Sequence, residues 1–259
     1  MTSRAEDFEH RLKKHPFLAA LFEDISNLET RAGGASFYAS QEELNEYTFY
    51  VRRVGYALAH LITWTEQLDH CIYYISDFNY GGKARRNGIT RADYLLYTIE
   101  NYLIRLQSTY DKALQLTNAI FHLCIQASNV SHALVVSNLR VSRTDVPARL
   151  KAVKRAIRDK QQDRNSIIHQ GSFERDKKLS RLELFYLQTR DSWAATSTDL
   201  PFENFQLVRR DLMREVLRER KAEFGAINEK LFFAVDELLT SLQAHYQMEA
   251  KRVRKIAYD

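Results

Sequence analysis

Apolar residues recur every three or four positions along most of the chain, and the stripes they draw predict long helices. Residues 4–31 carry Phe8, Leu12, Phe17, Leu21 and Ile25 near helical spacing, with Pro16 placed to split the segment. RAGGAS then breaks the pattern. Ser40, with Glu43 three places on, reads as a capping box for a second helix that reaches about Phe78. Its Val51, Val54, Leu58, Leu61, Thr65, Leu68 and Ile72 form a near-heptad seam, the mark of core rather than of a site. After the Gly-rich turn NYGGKARRNG, a third helix from Thr90 to about Ala127 sets Leu95, Ile99, Leu103, Leu106, Tyr110, Leu114, Thr117 and Phe121 on one face. It reads as the central core helix. Asp145 caps a fourth helix, with Pro147 in its first turn. Leu150, Val153, Ile157, Gln161, Arg164 and Ile168 follow its inward stripe, which sets Arg164 at a core-facing position. Beyond it, SFERDKKLSR reads as a charged loop and LELFYLQTR leans to β, allowing a short β-hairpin or strand around 182–190. Asp199 opens the last helical region, striped by Phe224, Ile227, Leu231, Val235, Leu238 and Leu242, with Gly225 as a kink or corner.

Composition sharpens the class. Eight Gly and three Pro in 259 residues are too few for the turns of an all-β fold, and 45% hydrophobic content supplies a real core. The expectation is an all-α, up-and-down bundle of long helices. Residues 1–89 read as an N-terminal helical hairpin, 90–175 as a core, and 176–259 as a C-terminal helical region packed into one continuous domain. MTSRAEDFEH lacks the basic-then-apolar order of a signal peptide, and no apolar run nears the roughly 20 residues that span a bilayer. A cytoplasmic protein with no membrane partner is expected. Cys71 and Cys124 have neither Cys-x-x-Cys spacing nor a His cluster, so they read as buried thiols, with no metal and no cofactor. Arg105 in the apolar setting YLIRLQSTYDKAL needs a partner, either in a salt bridge inside the bundle or in support of a site. His122 and His132 share no four-residue spacing with an acid and read as helix-surface or capping residues.

A net charge of +5 is modest, but its distribution is uneven. Between Arg149 and Arg164 lie seven cations, among them Lys151, Lys154, Arg155, Arg158 and Lys160, against Asp159 and Asp163. Such a run is either a solvated helix face or a track for phosphates. It leads into Arg164-Asn165-Ser166-Ile167-Ile168-His169, closed by Gly171. Imidazole can move a proton near neutral pH, and guanidinium keeps its charge while gripping phosphate oxygens. Asn165 and His169, four apart, share a helix face; Arg164 and His169, five apart, lie about 140° around from each other. One helix does not bring that pair together, whereas two copies related by a dyad can. Arg4 precedes His10, and Arg53 precedes His60, at similar spacing, but neither Arg is followed by Asn.

With Arg164, Asn165 and His169, the stretch resembles the signature of the HEPN superfamily: Arg, four to six residues, then His, often with a polar residue directly after the Arg. The resemblance covers about residues 90–175. It implies a HEPN-like helical bundle and a homodimer with a composite Arg/His cleft. It also implies a metal-independent endoribonuclease that leaves 2′,3′-cyclic phosphate ends, in the manner of toxins or antiphage effectors. In that reading His169 is general base or acid, Arg164 stabilises charge on phosphate, and Asn165 orients the phosphate or the imidazole. Lys151, Lys154, Arg155, Arg158 and Lys160 would track the RNA. The alternative is a non-catalytic HEPN-like dimer that binds nucleotide, nucleic acid or a protein partner. Some family members carry Tyr two places after the His, a target for modification; here Gly171 stands there. The long C-terminal region exceeds a minimal domain and suits dimerisation or a regulatory protein partner.

Overall fold

A computed structural model describes residues 10–31, 44–77, 82–170, 176–195 and 201–258. All α-helices and short 3-10 turns, with no strand among the described residues, it bears out the all-α reading. The helices are α1 (Pro16–Arg31), α2 (Glu46–Asp77), α3 (Gly82–Arg86), α4 (Arg91–Ile120), α5 (His132–Ser137), α6 (Leu139–Ser142), α7 (Val146–Ile157), α8 (Gln161–Gln170), α9 (Lys177–Leu187), α10 (Arg190–Ala195) and α11 (Phe202–Tyr258).

Local chemistry sets the ends. Pro16 opens α1 rather than splitting it, after a 3-10 turn over Arg11–Lys14. Ser40 and Glu43 lie outside the described residues; α2 starts at Glu46, where the Asn45 side chain accepts from the Thr48 amide at 2.8 Å. At α4, Thr90 and Asp93 form a reciprocal box, each backbone amide donating to the other's side chain. That helix stops at Ile120, short of the expected Ala127, because His122 and Cys124 turn to φ 49° and 58°. The β-leaning stretch is helical instead. Asp176 accepts from the amides of Lys178 and Leu179, both at 3.1 Å, and starts α9, which buries Leu179 and Leu182 one turn apart. Gly225 makes no corner either, since α11 runs unbroken through it.

The chain divides into two compact units that cut across the three expected segments: residues 1–66, 108–156 and 230–259, and residues 67–107 with 157–229. In the first, Tyr50 and Tyr246 stack 5.9 Å apart at 11°, and Phe17 packs on Tyr246 at 5.2 Å. Their polar ends are satisfied: Tyr50 donates to the Ile120 carbonyl at the end of α4, and Tyr246 and Tyr47 both donate to Asp24. In the second, Tyr102 stacks on Phe224 at 3.7 Å and donates to Asn228, which itself donates to Asp69. The predicted α4 face is buried from Leu95 to Phe121, and the α2 seam from Val51 to Leu68, with Ile72 half-buried.

Candidate functional site

The predicted fourth helix is two helices. Arg158–Lys160 forms a 3-10 turn between α7 and α8, so the stripe of Leu150, Val153 and Ile157 stays buried while Gln161 is exposed. Arg164 is half-buried on α8, where a full inward position was expected. Its Nη1 donates to the exposed Asn165 Oδ1 at 3.1 Å, and its Nε is buried with no hydrogen-bond partner among the described residues. No carboxylate among them pairs with this guanidinium. His169 belongs to α8 by its backbone, one turn beyond Asn165 and about 140° around from Arg164. Its side chain, like Gly171, lies outside the described residues.

The basic run divides. Lys151, Lys154 and Arg155 are exposed on the α7 stretch of the first unit, with Lys154 set 5.9 Å from the Tyr110 ring centre. Arg158 and Lys160 belong to the second unit. Arg158 is exposed beside Asp159 at 3.5 Å. Lys160 is different. Its side chain is 17% exposed, and it binds Asp163 at 3.0 Å and the Glu223 carboxylate of α11. Burial acts to lower its ammonium, but the two carboxylates outweigh it and hold it above the ordinary lysine range. Its charge is spent on structure, leaving little for a phosphate.

Glu223 is a centre that no local pattern reveals. It also receives Arg220, whose other end binds Asp176 at the cap of α9. The chain Lys160, Glu223, Arg220, Asp176 therefore fastens both sides of the motif segment to one turn of α11. Lys178 adds bonds to Glu215 at 2.9 Å and Glu219 at 2.5 Å.

Other sequence expectations resolve in place. Cys71 is buried, which pushes its thiol up to about 11 despite the nearby Arg105 guanidinium, whereas Cys124 is exposed rather than buried. Arg105 donates to the Gln67 amide oxygen. His122 caps the C-terminus of α4, its amide donating to the Ala119 carbonyl at 3.2 Å, while its Nε2 sits 3.3 Å from Glu46 of α2 and its ring stacks on Tyr50. His132 meets the Tyr110 hydroxyl, with burial and Lys154 both lowering its basicity. Among the described residues, no group of three His, Cys, Asp or Glu could hold a metal ion. No helix among them is long and apolar enough to cross a membrane.

The family whose sequence model matches is described as HEPN_Cthe2314-like HEPN, and the match covers residues 21–189, more than half the chain. Neither the curated proteins nor the solved structures give a match.

Proposed function

Because the chain belongs to the HEPN superfamily, we propose that it is a metal-independent endoribonuclease whose active site is completed by a second copy of itself. The observation that carries this reading is the half-buried Arg164 guanidinium, which touches Asn165 and has no carboxylate partner among the described residues. A partly desolvated cation without an acid calls for an anion, and phosphate oxygens match its planar fork.

In the reaction, the ribose 2′-oxygen forms a bond to the adjacent phosphorus as His169 of one copy takes its proton. The bond from phosphorus to the 5′-oxygen breaks, and that leaving oxygen takes its proton from water. Arg164 stabilises the charge gathering on the non-bridging oxygens, and Asn165 orients the phosphate through its amide. The products are a 2′,3′-cyclic phosphate and a 5′-hydroxyl. DNA, lacking the nucleophile, is bound and left intact. Such an enzyme suits the role of a cytoplasmic toxin or antiphage defence effector.

Single-stranded RNA incubated with the protein in EDTA, beside folded Arg164→Ala and His169→Ala variants, tests the reading. Cleavage to cyclic phosphate that both variants lose supports it. Intact RNA with the wild type across mixed sequences overturns it in favour of a binding module. Mixing the two inactive variants adds a dimer test. A composite cleft that needs Arg164 and His169 from different copies regains part of its activity in the heterodimer.

A further inference from the structure

Within the second unit, a cavity of about 290 Å³ opens between α2 and α4. Its walls are rings. Tyr74, Tyr94 and Tyr97 line it with His70, and no aliphatic side chain among the described residues does. Tyr97 is 64% exposed and Tyr74 43%, so ring surface is open to a ligand at the rim. The deeper lining is polar and carries one cation. Arg105 reaches it alongside Gln67, and no carboxylate among the described residues lines it. Asn101 donates its amide nitrogen to the Tyr97 carbonyl at 3.1 Å, which leaves its oxygen to accept from a ligand. The Thr98 hydroxyl donates to the Tyr94 carbonyl at 2.8 Å and likewise keeps lone pairs.

Each feature narrows the occupant. Aromatic walls without aliphatic side chains favour a flat ring over a lipid or a branched side chain. A mixed donor and acceptor lining matches a ring with a hydrogen-bonding edge. The positive charge of Arg105 in the lining disfavours cations and suits a ligand that carries phosphate. The volume holds one such ring system and excludes a duplex. We propose that this cavity seats an unpaired nucleobase of single-stranded RNA, stacked on Tyr97 and Tyr74 with its edge toward Asn101 and Arg105. The choice of an RNA strand as source rests on the ribonuclease reading above; the base-binding chemistry stands on the cavity alone. The cavity would then select which nucleotide lies near the cleaved bond, giving a cleavage preference that Arg164 and His169 do not themselves encode.

The test uses the full chain and a short 2′-O-methyl RNA containing one 2-aminopurine, which cannot be cut because its 2′-oxygen is blocked. Binding should quench the 2-aminopurine emission by stacking. Tyr97→Ala and Tyr74→Ala should each weaken binding at least about fivefold and relieve the quench. Tyr97→Phe, which keeps the ring, should bind within twofold of wild type. None of the three should change the salt slope, since no phosphate contact is lost. Unchanged affinity and quench in both alanine variants overturns the proposal, even where wild type cleaves RNA. Quenching that depends on Tyr97 in a protein that cuts no RNA sustains the cavity and sinks the nuclease reading instead. A second arm uses 2-aminopurine riboside monophosphate. Binding as tight as that of the oligonucleotide overturns the RNA strand as the source of the base.

Discussion

Replacing Glu223 by Gln keeps the size and one acceptor oxygen but removes the charge that Lys160 and Arg220 share. These cations are poorly placed to lose it. The side chains of Lys160 and Arg220 are only 17% and 15% exposed, and that of Glu223 is 30% exposed. Exposed pairs contribute about 0 to 1 kcal/mol, whereas stranding a fully buried charge costs about 3 to 5 kcal/mol. This site lies between the two. Lys160 keeps Asp163 at 3.0 Å and Arg220 keeps Asp176, so neither is left without an acid. A loss of about 2 kcal/mol follows, which for a chain of this size is a fall of about 4 to 8 °C in melting temperature. The two tryptophans make the measurement local. Trp64 belongs to the first unit and Trp193 to the second, where it stacks on Phe205 at 4.2 Å. In a Trp64→Phe background, Trp193 emission during heating or urea unfolding therefore reports the unit that holds Glu223. Part-buried pairs are weakly screened, so the deficit should persist in high salt. Lys178→Met is the control, because its pairs with Glu215 and Glu219 are about 40% exposed on both sides and its removal should barely move the transition. A Glu223→Gln protein that melts within a degree of wild type, or a Lys178 variant that loses as much, would refute the clamp. With the clamp loosened, RNA cleavage should fall well below the folded fraction, because the same four side chains hold the segment bearing Arg164.

The remaining expectations are shorter. Burial lowers the basicity of His15 and His245 against the carboxylates of Asp236 and Asp145, and that of His132 together with Lys154. Below about pH 6.5 the unfolded chain takes up protons that the native histidines resist, so stability should fall as the pH drops from 7 towards 5, and His132→Gln should flatten that slope in melts across the range. Lys160 works with the opposite sign. Held above its ordinary value, it stabilises at neutral pH and loses that contribution as the pH rises through the alkaline range, a loss Lys160→Met should abolish. Lys151→Gln and Arg155→Gln, both exposed, should each reduce the salt slope of RNA binding by up to about one unit, while Lys160→Gln should lower stability and leave the slope alone. Tyr102→Phe removes a buried donor to Asn228 at 2.9 Å and should cost about 1 to 3 kcal/mol by urea titration.

What could be read from the sequence follows from the range of each interaction. The stripes on α2 and α4 were legible because burial along one helix is written in its own spacing, and the Thr90 cap because its partner, Asp93, is three residues away. The helix over LELFYLQTR was missed because its composition is β-leaning. Asp176, which sets its start, was read as part of a loop, although Leu179 and Leu182 already stood at helical spacing. The break at Arg158–Lys160 has no Gly or Pro to announce it. Glu46 beside His122, Ser241 on Asp145 and Glu223 on Lys160 come from distant helices, so no local pattern points to them. At the candidate site the residue types were legible and their allotment was not. Lys160 counted as one more cation in a basic run, and only the fold shows that two carboxylates have taken it.

That unannounced break shapes the chemistry. A helix continued in α-phase from Ile157 would carry Arg164 onto the stripe of Leu150 and Val153, among fully buried side chains. Three residues of 3-10 helix advance by 120° each instead of 100°, so the phase at α8 moves by about 60°. Gln161 swings into solvent and Arg164 stops at half burial. For a phosphate ligand that position is favourable. In bulk water a guanidinium 4 Å from a phosphate charge gains about 1 kcal/mol, and near a protein surface, with an effective dielectric constant of about 20, it gains about 4 kcal/mol. Deep burial would strengthen the attraction further but would close the route to RNA and demand an acid in the apo protein. The clamp on Lys160, the last residue of the turn, fixes the phase at which α8 begins. The 3-10 turn and the Glu223 ion pairs thus act together, one rotating the Arg164 face out of the core and the other holding it at that angle.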